Sequence, residues 1–325
     1  MKKTYFITGG TGSFAKNFIG HLLKNKLAKK IIIFSRDEYK QFLMKEDELI
    51  KKNLKILRFL IGDVRDKTRL EFAIDQNIDV VVHTAAMKQV PATEYNPFEA
   101  IKTNIIGAQN LIEVCIKNNI EKIIALSTDK AAAPINLYGA TKLTSDKLFT
   151  NANYFKGNKR CKFSVVRYGN VMGSRGSVIP LFLHQKLHNK PFTITDKNMT
   201  RFNITLKESV NFVINSLNKM KGGEIFVPKI PSYKILDVLK SIDNKAKYKV
   251  IGIRPGEKIH EELITESDSI NTLEYKNYFV ILPSYKKNKL QNKKIFSYNS
   301  KNNKKFLSIK TLKKLIINNK KDFSY

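Results

Sequence analysis

Tryptophan is absent from this sequence, and cysteine occurs only twice among its 325 residues. Cys115 and Cys161 each lie in an apolar stretch, and neither has neighbours at the spacing of metal ligands. The two thiols are therefore predicted to be buried and reduced, which argues against a disulfide framework or a zinc site. Any redox chemistry must then come from a bound cofactor.

Long apolar runs are also missing. No stretch approaches the roughly 18 to 20 consecutive apolar residues that a membrane-spanning helix needs. The chain begins with MKKTYFITGG, which passes from two lysines directly into a strand-like segment and shows no signal-peptide core. We therefore expect a cytoplasmic protein with no membrane partner. Its 42% hydrophobic content is enough to bury one large core or two modest ones.

Acidic residues are scarce beside basic ones, 28 against 59, which gives a formal net charge of +31. Such a surplus can bind nucleic acid by displacing phosphate counterions. Only nine of the basic residues are arginines, however, and the lysines are scattered without a stripe or a recognition motif. We therefore predict no nucleic-acid partner. Arginine suits phosphates and carboxylates, and five arginines lie in motif-like segments: Arg36, Arg167, Arg175, Arg201 and Arg254.

The first 170 residues alternate strand-like runs with helix-length segments. The runs are TYFIT, KIIIFS, ILRFLIGD, IDVVVHTA, KIIALST and FSVVRYGN. This alternation predicts an α/β, Rossmann-type fold with a doubly wound parallel sheet. Shorter elements follow, then a Lys/Asn-rich segment at 286–305, interpreted as a solvated loop, and a last periodic stretch, LSIKTLKKLII. We predict a dinucleotide-binding domain over 1–176 and mainly a smaller, partly discontinuous substrate-binding lobe over 177–325, with some return to the first domain.

A glycine-rich turn follows the first strand, in FITGGTGSFAKNFIG. Glycines permit a tight turn and let a pyrophosphate approach the N–H groups at the start of a helix. This position after a first strand favours dinucleotide binding over a purely structural turn. Ala15 stands at the third glycine position, where helix–sheet packing is at stake. The glycines of the turn are Gly9, Gly10 and Gly12, and the predicted contacts here are Gly9, Thr11, Gly12, Ser13 and Phe14.

The second strand ends in IIIFSRDEYK, with Ser35 and Arg36 where an NAD site would have an acidic residue for the ribose 2′-hydroxyl. Arg36 suits a 2′-phosphate instead, so NADP is predicted, with NAD less favoured. Asp37 lies two residues on and keeps the NAD alternative open, as does a simple surface role for Arg36. Glu38 and Lys40 complete this predicted ribose region.

Further cofactor contacts are predicted where later strands end. Asp63 and Val64 suit the adenine, and Thr84 precedes Ala85 and Ala86, which are small enough for backbone approach. The remaining predicted contacts are Lys88, poised over the cleft, and Thr103 and Asn104 on the nicotinamide side, for which a helix-surface role stays open. His83 is interpreted as satisfying a buried hydrogen bond rather than as a catalyst.

Tyr138 and Lys142 are four residues apart and share one helix face. A nearby cation can make a tyrosine a usable base near neutrality, and Lys142 is predicted to provide it. With the glycine turn, the pair resembles the extended short-chain dehydrogenase/reductase superfamily, whose members modify nucleotide sugars. In that superfamily the tyrosine serves oxidation of the sugar C4 hydroxyl, and a 4-epimerase then returns the hydride to the other face.

Asp129 and Lys130, just upstream of this pair, point to a further reaction. A 4,6-dehydratase also removes the C5 proton and expels the C6 hydroxyl, which needs a base and an acid beside the tyrosine. Asp129 suits the acid if burial raises its pKa. Lys130 suits the base if burial and the cationic cofactor lower its pKa.

Several longer segments resemble the inverting UDP-N-acetylglucosamine 4,6-dehydratases of the pseudaminic acid pathway. They are STDKAAAPINLYGATKLTSDKLF, FSVVRYGNVMGSRGSVIP, TITDKNMTRFNIT, GGEIFVPKIPS, GIRPGEKIHEELI and FSYNSKNNKKFLSI, and the likeness covers nearly the whole chain. Retaining dehydratases carry Thr-Asp-Glu where this chain has Thr-Asp-Lys, and the membrane-anchored ones have methionine at the tyrosine position. Ala133, which replaces the family's usual asparagine, Ala15 and Asn203 depart from the pattern.

The resemblance implies a role for each matching residue. Lys130 would be the C5 base, Asp129 the C6 acid and Thr128 a hydrogen-bond partner of the C4 oxygen. Tyr138 and Lys142 would move the proton in the hydride step and also contact the cofactor. Inversion at C5 and assembly into a homo-oligomer are likewise implied by the resemblance alone.

Guanidinium forks and backbone amides are the groups that best grip the pyrophosphate of a UDP-sugar. Arg167 is the weakest candidate for a substrate contact among the arginines, because a structural ion pair in its buried strand would explain it equally. The predicted substrate residues are Lys88, Asn170, Val171, Met172, Gly173, Ser174, Arg175, Thr195, Arg201, Arg254 and Glu257, with UDP-N-acetylglucosamine as substrate. A UDP-sugar 4-epimerase and a non-catalytic RNA-binding member of the superfamily remain the alternatives.

Overall fold

A nine-stranded sheet forms the centre of the protein, seen here in a computed structural model that describes residues 2–75, 77–174, 176–283, 295–320 and 323. The described strands are β1 (Lys3–Thr8), β2 (Ala28–Ser35), β3 (Leu57–Ile61), β4 (Val80–His83), β5 (Lys122–Thr128), β6 (Lys162–Tyr168), β7 (Asn170–Val171), β8 (Phe192–Ile194), β9 (Thr200–Ile204), β10 (Ile225–Pro228), β11 (Ser232–Lys234), β12 (Tyr248–Val250), β13 (Glu262–Ile264), β14 (Thr272–Glu274), β15 (Tyr278–Ile281) and β16 (Tyr298–Asn299).

Helices connect most of these strands. They are α1 (Ser13–Lys24), α2 (Glu38–Lys45), α3 (Glu48–Lys51), α4 (Lys67–Ala73), α5 (Val90–Tyr95), α6 (Pro97–Ile101), α7 (Gly107–Lys117), α8 (Leu137–Phe155), α9 (Val178–Leu187), α10 (Leu206–Lys219), α11 (Ile235–Ile242), α12 (Glu266–Ser269) and α13 (Ile309–Asn318). A π-helical turn (Lys102–Ile106) precedes α7, and a 3₁₀ turn (Asp129–Ala131) follows β5.

The strand order of the main sheet is β14-β15-β10-β6-β5-β4-β1-β2-β3. All pairs from β10 to β3 are parallel, and β15 and β14 add an antiparallel edge. The order reverses beside β1, so right-handed crossovers place helices on both faces. Accordingly, α1 packs against α10 while α7 packs against α4 and α8. The predicted doubly wound fold is confirmed.

Three strands of the second half, β10, β14 and β15, extend the main sheet. The rest of that half forms small sheets, β11-β9-β7, β12-β8 and β13-β16. A second apolar core lies among α9, α11 and α13, with Phe182, Val238 and Leu312 fully buried. The domain boundary between residues 176 and 177 stays a prediction. Strands β10, β14 and β15 follow that position in the sequence and still belong to the main sheet.

The prediction of a solvated loop over 286–305 is wrong for residues 296–300, whereas most of 301–305 is exposed; residues 284–294 lie outside the described residues. Tyr298 packs its ring 5.0 Å from that of Phe202 and 5.2 Å from that of Phe279, measured between centroids. Ser300 is fully buried. Phe296 also packs its ring 5.7 Å from that of Phe279. These two aromatic residues dock the Lys/Asn-rich segment against β9 and β15.

Cys115 and Cys161 are buried and free, as predicted. Among the residues that the structure describes, no helix is both long enough and apolar enough to cross a membrane. Within the same part of the chain, no three His, Cys, Asp or Glu side chains are grouped as metal ligands would be.

Ala133 adopts a left-handed backbone conformation, φ 43°, and its side chain is exposed. Such a conformation costs an alanine about 1–2 kcal/mol and a glycine almost nothing, although glycine loses more backbone entropy on folding. Ala133→Gly is therefore expected to stabilise the protein by about 0.5 kcal/mol, measured by urea or thermal unfolding.

The matched control is Ala140→Gly, because Ala140 is also exposed but lies in the right-handed helix α8. That change is expected to destabilise the protein by about 1 kcal/mol. Equal destabilisation by both changes would contradict the left-handed conformation at residue 133.

Candidate active site

A cleft of about 710 Å³ lies above the carboxyl ends of the central strands and extends beneath the small sheets of the second half. Most of the predicted site residues line it. Glu38, Asn104, Met172 and Gly173 do not, and Arg175 lies outside the described residues. The cleft therefore joins the predicted cofactor end and the predicted substrate end in one continuous space.

Two of the residues off the lining have structural contacts instead. Asn104 is buried; its amide group donates to Met87 O (2.9 Å) and to Thr141 Oγ1 (3.0 Å). Met172 packs in the second apolar core. Asn104 thus joins the loop after β4 to α8, while neighbouring Thr103 does line the cleft.

The glycine turn after β1 forms the cofactor end of the cleft. Gly9 has φ 63°, and a Cβ atom there would lie 2.9 Å from the backbone of Ala85. Helix α1 begins after Gly12. No side chain caps this helix start, where the first N–H groups and the helix dipole favour an anion.

Arg36 and Lys40 both line the cleft at the end of β2. Asp37 is occupied elsewhere, because its carboxylate caps α2 by accepting from Lys40 N (2.9 Å) and pairs with the Lys40 ammonium. Hydrogen bonding to Lys40 lowers the pKa of Asp37 below its usual value. Exposed Arg36 lies 3.4 Å from Asp63. This corner is therefore rich in cationic groups, and the acid nearest the strand end is already paired.

His83 is buried at the end of β4, and its Nδ1 lies 2.8 Å from Thr8 Oγ1. Burial lowers its pKa to about 3. The imidazole is therefore neutral at physiological pH and serves the sheet, as the sequence interpretation expected.

Asp129 and Lys130 occupy the 3₁₀ turn directly after β5. Thr128 donates to Asp129 Oδ1 (3.0 Å), and Lys130 Nζ donates to the same oxygen (3.1 Å). Lys130 Nζ also lies 3.1 Å from Oε1 of Glu261. One ammonium thus bridges two buried carboxylates.

Burial raises the pKa of Asp129, as expected for an acid. The expected direction for Lys130 is wrong in this structure. Burial acts to lower the pKa of its ammonium, but the carboxylates of Asp129 and Glu261 outweigh burial and raise it. The sequence expectation considered burial and the cofactor, and lacked the second carboxylate.

Helix α8 presents Tyr138 and Lys142 to the cleft. Asn136 caps the helix by accepting from Gly139 N (2.8 Å) and donates to Gly256 O (2.7 Å), which ties α8 to the loop before β13. Lys142 Nζ donates to Leu126 O (2.7 Å) on β5. The helix is therefore anchored on both sides of the cleft.

Tyr138 has a raised pKa, about 12, because burial outweighs the opposing influence of Lys130 and of a hydrogen bond with Thr128. Lys142, the cation expected to lower it, instead has its own pKa lowered by burial. The expected lowering of the Tyr138 pKa by Lys142 is therefore not seen in this structure.

Arg201 lies buried at the substrate end, where it donates to Ile259 O (3.0 Å) and faces Glu257 (3.5 Å) and Glu261 (3.6 Å). Arg167 does not line the cleft. It pairs with Asp146 (3.3 Å) and Asp268 (3.0 Å), which supports the structural interpretation of that residue. The other predicted substrate residues on the lining are Lys88, Asn170, Val171, Ser174, Thr195, Arg254 and Glu257.

Among the lining residues that sequence reasoning missed are Tyr233, Lys258 and Glu261. Lys258 and Glu261 lie in the segment GIRPGEKIHEELI, where only Arg254 and Glu257 were singled out. The acidic and basic residues of that segment could have indicated both as site residues. Tyr233 has no neighbouring motif, and only the β11–β9 pairing that sets it beside Arg201 reveals it.

Comparison with known proteins gives consistent relatives. Residues 5–283 match the family described as "Polysaccharide biosynthesis protein". The "UDP-N-acetylglucosamine 4,6-dehydratase (inverting)" of Campylobacter jejuni subsp. jejuni serotype O:2 is 51% identical, over 97% of each chain. The "UDP-glucose 4-epimerase" of Rickettsia bellii is 40% identical, over 98% of this chain and 96% of that one.

A solved structure also matches the whole fold. The X-ray structure of Pen from Bacillus thuringiensis has a TM-score of 0.89 and 40% identity, over 98% of each chain. The resemblance that the sequence motifs indicated is thereby confirmed. The chain belongs to the polysaccharide biosynthesis protein family, and the inverting UDP-N-acetylglucosamine 4,6-dehydratases are among its relatives.

Proposed function

We propose that this chain is an NADP-dependent 4,6-dehydratase of UDP-N-acetylglucosamine that inverts C5. The observation that carries the proposal is the ion pair between buried Asp129 and half-buried Lys130, set beside Tyr138 in one cleft. The 51% identity with the Campylobacter jejuni dehydratase supports it. An acid and a base are required for elimination and superfluous for reversible oxidation alone.

The residues at the cofactor end fit a dinucleotide phosphate. The uncapped start of α1 suits the pyrophosphate, and Arg36 with Lys40 suits a 2′-phosphate, while Asp37 is already paired. When bound, the nicotinamide would accept a hydride from sugar C4 and return it to C6. Its positive charge in the oxidised form would also oppose the effect of burial on Tyr138.

Tyr138 takes the proton of the C4 hydroxyl as C4 becomes a ketone, and Thr128 hydrogen-bonds the C4 oxygen. The ketone acidifies the C5–H bond, so the amine of Lys130 can remove that proton. The electrons of the C5–H bond form the C5–C6 double bond. The C6 hydroxyl leaves as water with a proton from Asp129, so the elimination balances.

This elimination needs Lys130 as a neutral amine and Asp129 as a neutral acid. Lys130 Nζ already donates to Asp129 Oδ1 at 3.1 Å, so one proton transfer along that hydrogen bond produces both forms. Burial favours the neutral acid because it raises the pKa of Asp129. Elimination then restores the ion pair, and a proton delivered to C5 from the face opposite to the one it left would complete an inverting reaction. The inverted outcome rests on the resemblance alone.

The substrate end suits a nucleotide sugar. Arg201 and Arg254 line it together with Glu257, whose carboxylate suits ribose hydroxyls. The product, a UDP-4-keto-6-deoxy-L-sugar, would serve pseudaminic acid or a related surface glycan, as the resemblance implies. Assembly into a homo-oligomer stays a prediction.

A UDP-sugar 4-epimerase is the second candidate, because a relative of 40% identity carries that name and Tyr138 with Lys142 suffices for it. Incubation with UDP-N-acetylglucosamine in D₂O separates the two. We expect a 4-keto-6-deoxy product with solvent deuterium at C5, detected by NMR and mass spectrometry. An epimerised sugar that keeps its C6 hydroxyl, or no reaction, would contradict the dehydratase.

Lys130→Ala is expected to reduce dehydration and C5 exchange by roughly 10²- to 10⁴-fold, the usual range for loss of a general base. Oxidation at C4 should survive and appear as a transient rise in the absorbance of the reduced cofactor. Lys147→Ala, an exposed lysine of α8, is the matched control and should leave both rates unchanged. Normal dehydration by the Lys130 variant would remove Lys130 from this role.

Arg36→Ala is expected to weaken NADP⁺ binding by roughly 10- to 100-fold, since a charged hydrogen bond to phosphate is lost, and to change NAD⁺ binding little. Dissociation constants for both cofactors can be measured by calorimetry. Arg58→Ala removes an exposed arginine elsewhere and serves as the control. Equal or tighter binding of NAD⁺ by the unmodified protein would overturn the NADP assignment.

A further inference from the structure

The carboxylate of Glu261 lies on the cleft wall beside Lys130, at 3.1 Å, and its side chain is 2% exposed. The same oxygen, Oε1, faces Arg201 Nε at 3.6 Å. The other oxygen, Oε2, is buried without a hydrogen-bond partner among the described residues. Buried carboxylates normally satisfy both oxygens, so packing alone does not explain this side chain.

The main chain holds Glu261 rigidly. Its N–H donates to Ser300 Oγ (2.9 Å), and the Ser300 N–H donates to Glu261 O (2.7 Å). The adjoining strands β13 and β16 pair in antiparallel fashion. The position of the carboxylate relative to Lys130 is therefore set by the fold on both sides of the residue.

We propose that Glu261 is a positioning residue for Lys130: it holds the amine towards sugar C5 and stabilises the ammonium that forms when the C5 proton is removed. This inference rests on the proposed dehydratase function. Proton removal transfers one proton from C5 to Lys130 Nζ, so a positive charge develops 3.1 Å from Glu261 Oε1. A negative charge already fixed there needs no reorganisation during the step.

Glu261 is suited to this role because it stays ionised. Burial acts to raise the pKa of its carboxyl, but Lys130 and Arg201 outweigh burial and lower it below its usual value. Several other titratable groups face this cluster from the surrounding elements. They are Asp129 on the turn after β5, Tyr138 on α8, Tyr233 on β11 and Lys258 in the loop before β13.

The test is Glu261→Gln, which keeps the shape of the side chain and removes its charge. Dehydration and C5 exchange are expected to slow roughly 100-fold, while KM and the transient reduction of the cofactor change little. The ascending limb of the pH–rate profile should move to lower pH, because loss of the Glu261 carboxylate lowers the pKa at which the Asp129–Lys130 pair loses its first proton. A purely structural role would not move that limb.

Glu262→Gln is the matched control. Glu262 is the next residue, accepts a hydrogen bond from Ser297 and does not line the cleft. The reaction rates and pH profile of this variant should therefore equal those of the unmodified protein. Glu261→Asp retains the charge at a shorter reach and should restore part of both the rate and the pH limb. This variant also serves if the glutamine variant folds poorly in thermal unfolding.

The outcomes distinguish failure of the proposed role of Glu261 from failure of the proposed dehydratase function. If the unmodified protein forms no 6-deoxy product, the proposed function fails and the inference fails with it. If it forms that product and Glu261→Gln keeps the rate of C5 exchange, the inference alone is overturned. Loss of exchange with an unmoved pH limb also overturns it.

Discussion

The site depends on the packing of helix α8 against the turn that follows β5. At Gly139 the helix approaches so closely that a Cβ atom would lie 2.2 Å from the carbonyl oxygen of Lys130. No side chain fits there without displacing one of the two backbones. The contact therefore fixes the distance between the Tyr138–Lys142 pair and the Asp129–Lys130 pair, and makes one site of two neighbouring motifs.

Local spacing made that part of the site predictable. Tyr138 and Lys142 share a helix face, and Asp129 and Lys130 follow a strand that any reader of the pattern would place in the sheet. The glycine turn was predictable for the same reason, since Gly9 needs a positive φ and close approach to Ala85. Where local geometry dictates the residue type, the sequence carries the information directly.

Other features depend on contacts between distant parts of the chain. Glu261 meets Lys130 only because β13 passes under the turn after β5, and no local pattern records that meeting. The raised pKa of Lys130 has the same origin in part, because Glu261, from far along the chain, adds to the effect of Asp129. The docking of Tyr298 was hidden by a Lys/Asn-rich composition that usually belongs to solvated loops.

The hydrogen bonds between Ser300 and Glu261 have a consequence for folding during synthesis. Chains fold from the N-terminus as they leave the ribosome, and the strands from β1 to β6 can assemble before the rest is made. The backbone bonds that hold Glu261 form only after residue 300 has emerged. A nascent chain can therefore acquire its glycine turn early, while its charged cluster is completed near the end of translation.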